Sequence, residues 1–472
     1  MSDADLCYLT IAEAAGLISA GEVSPVELTE AHLRRIERVD GDLNTFITVT
    51  AEVAREEARQ AEKEISAGRY RGLLHGVPYS LKDLYATHGI RTTGGTKIWA
   101  DWVPDYNSAV AEKLKSAGAV LLGKTNMHEF ALGVTNINPH YGAARNAWNL
   151  DHIPGGSSGG AASAVAAGLG LFGMGSETGN SIRRPAAFCG VTGLKPTYGR
   201  VSRYGMLPAS WSLDHAGPFT RTAEDSAIVL QALAGPDRCD PASSNAPVPD
   251  YSAGLRDAAT GTKAGVPWKF LRDLSGEADA GFEEVLATLR GAGVSIVDLE
   301  LPSAVYAAPV SSAIMLGEAA SYHADWVRSR PADYGKDVLT RLRIGMAISA
   351  QEYADAQRFR RLIASEMLEE MRFQDVDLIV APTIPATATP IAGGAAALGD
   401  EPYSVGNGFF NLYRLFSLVG WPVISIPCGF GANGLPLAVQ MAGRPLEERQ
   451  VVRLAHRYQQ TTDWHLRRPS LE

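Results

Sequence analysis

The sequence predicts an α/β protein in which a mixed, twisted sheet is covered by helices on both faces. Two observations carry this reading. Segments with apolar residues at helical spacing alternate with short apolar runs of strand length, and glycines stand at many of the changeovers. At 472 residues, with 46% hydrophobic and 20% charged side chains, the chain is also long and apolar enough to bury a large core.

The elements follow in order. Ser24-Pro25 opens SPVELTEAHLRRIERV, an amphipathic helix with Leu28, His32 and Ile36 on one stripe. TAEVAREEARQAEKEISAG is a second helix ending at Gly68. GVPYSLKD reads as a strand, NSAVAEKLKSAG as a helix stopped by glycine, and AVLLGKT as a buried strand. AASAVAAGLG has the small side chains of a helix packed closely on a sheet, and LFGMGSE is the next strand. Residues 222–235 form a capped helix, and GFEEVLATLRGAGVSIVDLELP repeats the helix–glycine–strand pattern. DVDLIVAPTIP is a strand entering a proline-rich loop, and PVISIPCGFGANGLPLAVQMAG is two strands joined by a turn at Asn433-Gly434. Neither a repeat nor a linker divides the chain. It reads as one domain, 1–472, with an irregular, mobile-surface excursion from about Ser303 to Tyr403 that contains PIAGGAAALGD.

Composition excludes several classes. A net charge of −9 without a basic block argues against nucleic-acid and anionic-membrane surfaces. Four cysteines, Cys7, Cys189, Cys239 and Cys428, form no C-x-x-C pair, so no zinc or redox site is expected and all four read as buried free thiols. The first residues carry acids and no apolar run nears the length of a membrane span, which predicts a cytoplasmic protein.

Two glycine–serine stretches stand out, GGSSGG at 155–160 and SETGNSIRRPAAFCG beginning at Ser176. The first is not a phosphate loop of the P-loop kind, because Gly160 is followed by Ala161-Ala162-Ser163 and not by Lys. It also lacks the dinucleotide glycine spacing. Acyl transfer by a serine requires a base. None of the ten histidines sits in a nucleophile-elbow setting, and His128, His140 and His152 read as surface or structural. A neutral lysine can serve instead. With an ordinary pKa of about 10.4, only about one lysine in 2,500 is neutral at pH 7, and burial raises that fraction. Lys82, at the end of an apolar strand, is the candidate; the stretch alone leaves open that it simply pairs with Asp83.

Taken together, these segments resemble the amidase signature family. GVPYSLKD matches its lysine segment, GGSSGGAASAVAAG its glycine–serine segment and GSETGNSIRRPAAFCGVTGLKPT its nucleophile segment. GKTNMHEFALG and PVISIPCGF…GLPLAVQMAGRP match as well, so the likeness runs over nearly the whole chain. The resemblance implies the amidase signature fold and a Ser–cis-Ser–Lys triad. Lys82 takes the base, Ser157, after a cis peptide, the relay, and Ser181, 24 positions further on, the nucleophile. It implies an oxyanion hole from the backbone of Thr178, Gly179, Asn180 and Ser181. Arg183 and Asp214 hold the site together, and Cys189 packs. Met127 and Phe130 are candidates for the acyl pocket, although their spacing also suits plain core. Two residues depart from the family pattern: Glu177 stands where Asp is usual, and Asn180 where Gly is usual.

The implied activity is hydrolysis of a linear carboxamide through an acyl-enzyme, with a small-molecule amide as substrate and no cofactor or metal. Carbamates and hydrazides offer the same electrophile, and a homodimer is left open. The alternative is the A component of an aminoacyl-tRNA amidotransferase. That component holds the ammonium of glutamine with an Asp for which an ungapped count places Phe410 here, favouring an apolar or aryl acyl group. A non-catalytic scaffold is disfavoured because all three triad positions are intact.

Overall fold

The computed structural model describes residues 1–272, 274–392 and 408–471; the side chains of residues 408 and 409 are not described. In chain order the strands are β1 (Phe46–Val49), β2 (Pro78–Lys82), β3 (Val120–Thr125), β4 (Ile137–Asn138), β5 (Gly142–Ala143), β6 (Phe172–Glu177) and β7 (Thr192–Lys195). β8 (His215–Thr220), β9 (Lys263–Val266), β10 (Ser295–Asp298), β11 (Leu378–Pro382), β12 (Val423–Phe430) and β13 (Pro436–Ala442) follow. Eleven of them form one sheet in the order β1-β3-β2-β6-β8-β7-β12-β13-β11-β9-β10, while β4 and β5 pair separately. The sheet is mixed. β3, β2 and β6 run parallel, as do β11, β9 and β10, and the strands between are antiparallel.

Both faces are covered, as the side-chain alternation of a strand requires when every position is buried. Val120 and Leu122 of β3 join Leu33, Ile36, Ala58, Ala161 and Val165 in one apolar cluster, whereas Leu121 joins Tyr79, Leu81 and Phe172 in the other. The helices begin where their caps predict. Ser24 Oγ accepts the Glu27 N–H at the start of Pro25–Leu43, Ser108 caps Ala109–Ser116, and Thr222 caps Ala223–Leu233. Asn433-Gly434 turns β12 into β13, with Gly434 at φ 73°.

Two expectations need correction. The stretch from Ser303 onward is mostly regular: helices span Ala307–Ser329, Lys336–Met346 and Ala350–Phe373 before β11. A capping box of Ser349 with Glu352 starts the last of these, and its 24 residues bury only Ala356, Ile363, Met367 and Met371. So sparse an apolar stripe leaves little periodicity to read. Most of PIAGGAAALGD lies outside the described residues. Cys239 is exposed, while Cys7, Cys189 and Cys428 are buried as expected. No helix among the described residues is long and apolar enough to cross a membrane.

The helix Gly159–Ala166 lies so close to its neighbours that Gly160 admits no side chain. A Cβ there would sit 2.3 Å from the Asn126 carbonyl oxygen and 2.7 Å from that of Thr45, and neither backbone atom can swing aside. Gly16, exposed within the helix Ile11–Ala20, has nothing within 4 Å of a built Cβ. Gly160→Ala is therefore expected to destabilise the fold by about 1–3 kcal/mol, and Gly16→Ala to stabilise it by about 0.5–1 kcal/mol. Denaturant midpoints of the two variants check this; equal effects would contradict the packing.

Candidate active site

The site forms at the carboxyl ends of the neighbouring parallel strands β2 and β6, where Leu81 lies opposite Met174. Lys82 is the last residue of β2 and is fully buried. Its Nζ lies 2.7 Å from Ser157 Oγ, 2.8 Å from Ser158 Oγ and 2.9 Å from Ser176 Oγ. Each near neighbour is a hydroxyl. Burial drives the lysine pKa well below its ordinary value, against the pull of the Asp214 and Glu177 charges. Asp83 is not its partner. The alternation of the strand turns the next side chain away, and Asp83 meets Thr93 and, at 3.4 Å, the Lys124 ammonium.

Two other buried lysines make a useful comparison. Lys124 donates to the Tyr85 carbonyl and to Thr92 Oγ1, and burial lowers its pKa to about 8. Lys195 donates to the carbonyls of Pro196 and Trp421, and burial lowers its pKa to about 7. Lys195 thus meets carbonyl oxygens, and Lys124 a carbonyl, one threonine hydroxyl and a carboxylate, whereas three serine hydroxyls, each able to accept and to donate a proton, surround Lys82. Lys82 differs from both in that respect.

The glycine run builds the hydroxyl cluster. The Gly156–Ser157 peptide is cis, and the Ser157 carbonyl accepts the His128 N–H at 3.1 Å. A side chain at Gly156 would come within 2.9 Å of the backbone of residues 134–136, so only glycine lets the turn sit this low. Ser158 Oγ donates to the Ser176 carbonyl at 3.0 Å and accepts the Ser176 N–H at 3.2 Å. Its single proton is thus used, and towards Lys82 it can only accept.

Ser181 follows β6 at the end of a short loop, 8% exposed where Lys82 and Ser157 are 0%. Of the three, it alone keeps a measurable exposure to solvent. The loop is closed by Glu177, whose Oε2 accepts the N–H groups of Ile182 (3.0 Å) and Arg183 (3.1 Å). Its Oε1 accepts Arg183 Nε and Nη2 at 2.9 and 2.7 Å, and the Ser417 hydroxyl at 2.6 Å. Burial alone would raise this carboxyl, but Arg183, Lys195 and these donors hold its pKa at about 2. Glu177 thus serves where Asp was expected, with Ser417 among its donors. Thr178 Oγ1 donates to Asp214 at 2.5 Å, and Asp214 also accepts the amides of Ala209 and Ser210 at 2.9 Å. Burial raises the Asp214 pKa to about 6.

Phe410 and Arg414 lie on the helix Gly408–Val419, whose Tyr413 carbonyl and Ser417 hydroxyl accept from Arg183. Both are buried, and the Arg414 guanidinium lies 5.4 Å from the Phe410 ring centroid. Its Nη1 is 2.1 Å from where a Cβ on Gly179 would stand, so this helix reaches the nucleophile loop. Met127 is fully buried against Gly95, and Phe130 packs edge-on to Trp99 and His323 and tilted to Tyr334. The segment carrying them touches Ser157 through the His128 amide. His128 pairs with Asp337 and His140 with Glu129, both structural contacts. Buried Cys189 lies 3.5 Å from the Pro154 carbonyl, a packing position, and burial pushes its thiol pKa up.

Sequence reading missed Ser158, Ser176, Ser417 and Arg414. Ser158 and Ser176 had a signal, being hydroxyls inside the two quoted motifs; Arg414 had none, since its proximity to Gly179 is tertiary.

A family model described as Amidase matches residues 27–452. The A component of the glutamyl-tRNA(Gln) amidotransferase of Methylococcus capsulatus is 41% identical over 487 aligned positions, covering 98% of each chain. Among solved structures, one described as a vestigial protein complex that reveals the origins of an s-triazine catabolic enzyme superposes with a TM-score of 0.90. It is 33% identical and covers 98% of this chain and 100% of that one. The native peptide amidase of Stenotrophomonas maltophilia superposes with a TM-score of 0.86 at 31% identity, covering 98% of both chains. With motifs, fold and relatives in agreement over nearly its full length, the chain belongs to the amidase signature family.

Proposed function

We propose that the protein hydrolyses a linear carboxamide with an apolar or aryl acyl group, through an acyl-enzyme on Ser181. The observation that carries this is the contact of buried Lys82 with Ser157 at 2.7 Å. An uncharged amine has two N–H donors and one lone pair. Ser158 and Ser176 take the donors, and the lone pair takes the Ser157 proton. Ser157 in turn draws the proton from Ser181, whose Oγ attacks the carbonyl carbon. Glu177 already occupies the amides of Ile182 and Arg183, so the developing oxyanion is assigned to those of Thr178, Gly179, Asn180 and Ser181. Ser157 then gives a proton to the leaving nitrogen, the C–N bond breaks, and water repeats the sequence to release the acid.

The second reading, the A component of an amidotransferase, is favoured by 41% identity to a protein of that name. Against it stands Phe410, which an ungapped count of the sequence places where that component carries its ammonium-binding Asp. Its ring cannot pair an α-ammonium as a carboxylate does. Met127 and Phe130 supply the opposite wall of the acyl pocket in this proposal, a role supported by the hydrogen bond from the intervening His128 to Ser157.

Ser181→Ala should lower kcat by about 10⁴-fold or more while leaving the fold intact. A fluorophosphonate should label Ser181; label on Cys189, or full activity of the variant, contradicts the assignment. Lys82→Ala and Ser157→Ala should each cost nearly as much, and the double variant little more, because the three groups act as one proton-transfer unit. Multiplying losses in single-turnover assays would break the relay.

Because burial lowers the Lys82 pKa, kcat/KM should rise with pH along an acid limb as Lys82 loses its proton. That limb should lie well below the value of about 10.4 for free lysine. A pH profile rising only near that value contradicts a buried, neutral base. Finally, the isolated chain should cleave an aryl amide about ten- to a hundredfold faster than glutamine at equal concentration. Preference for glutamine, or activity only with a partner protein, transfers the case to the second reading.

A further inference from the structure

Asn180 is fully buried, and neither Oδ1 nor Nδ2 of its side chain has a hydrogen-bond partner. Among the described residues, it is the one side chain with two such orphaned buried atoms. Buried amides are nearly always satisfied, because an unmade hydrogen bond leaves the lost hydration uncompensated. Its backbone gives no reason for the residue either. At φ 101° the position suits glycine better than any side chain. The side chain therefore caps no turn and braces no neighbour, yet it stands next to the Ser181 nucleophile. What holds the loop runs through other groups: the carboxylate of Glu177, the hydroxyl of Thr178 and the backbone carbonyl of Asn180, which accepts the Arg184 N–H.

A carboxamide presents one acceptor and one donor edge side by side, and its complement is a group offering the same pair reversed. We propose that Asn180 is a specificity-determining residue that pairs with a second carboxamide or ureido group on the acyl part of the substrate. The proposal rests on the assignment of Ser181 as nucleophile.

The test compares benzamide with its 2-, 3- and 4-carbamoyl derivatives. The wild-type chain is expected to favour at least one derivative by about tenfold or more in kcat/KM, and Asn180→Gly to erase that ratio. A change confined to the oxyanion amide would alter all four substrates alike and leave the ratio standing. Asn180→Asp, which keeps the acceptor but loses the donor, should reduce the preference as well. Binding of the same amides to Ser181→Ala, followed by calorimetry, reads the pairing without turnover. There the favoured derivative should bind more tightly than benzamide, and Asn180→Gly in that background should remove the difference. Equal treatment of all four amides by the wild-type chain, or a preference that survives Asn180→Gly, overturns the proposal. Failure to hydrolyse any amide, with selective binding retained, counts against the nucleophile assignment alone.

Discussion

Burying a lysine disfavours its charged form, and the groups within hydrogen-bond reach of buried Lys82 are three serine hydroxyls. The nearest carboxylates are engaged elsewhere, Glu177 by Arg183 and Asp214 by Thr178 and two amides. They act on the lysine as distant charges that moderate its pKa without forming an ion pair. The rest of the architecture follows from keeping that arrangement dry. β2 is buried on both faces, the glycine run lies low enough to bring Ser157 and Ser158 over its end, and Ser176 approaches from β6.

The same region separates two electrostatic tasks. Around Glu177 a full charge pair is buried with many hydrogen bonds, which fixes the geometry of the loop from Thr178 to Ser181. Such pairs add little net stability but are costly to break once formed, so they lock a conformation. Around Lys82 burial disfavours the charged form and lowers the pKa. Exchanging the two environments would give a rigid loop without a base, or a base beside a loop free to collapse.

Much of this was legible in the sequence because the chemistry needs particular residue types at particular spacings. The serines at 157 and 181, the lysine ending an apolar strand and the helix caps at Ser24, Ser108 and Thr222 each carry a local signal. What could not be read was tertiary. That Asp83 faces Lys124 and leaves Lys82 to the serines depends on which side of β2 each occupies. That Arg414 reaches Gly179 depends on a helix far downstream in the chain. The helices after Ser303 bury few apolar residues, so their weak periodicity read as irregular chain although a capping box at Ser349 marked one of them. Asn180 was visible as a departure from the family pattern, but its lack of any partner emerges only once the surrounding loop is built.

Solved structures of a peptide amidase and of an amidotransferase A component share this fold at 31% and 32% identity, so structural likeness does not choose between the two readings. Both readings propose Lys82 as the base, and its protonation state is the claim on which everything else rests. The direct measurement is the ¹⁵N chemical shift of the Lys82 amine, followed across pH in protein labelled at lysine Nζ and assigned by comparison with a Lys82→Arg variant. The account predicts that the amine titrates well below the ordinary lysine value. An ammonium signal at pH 7 that titrates near the ordinary lysine value of about 10.4 would contradict it.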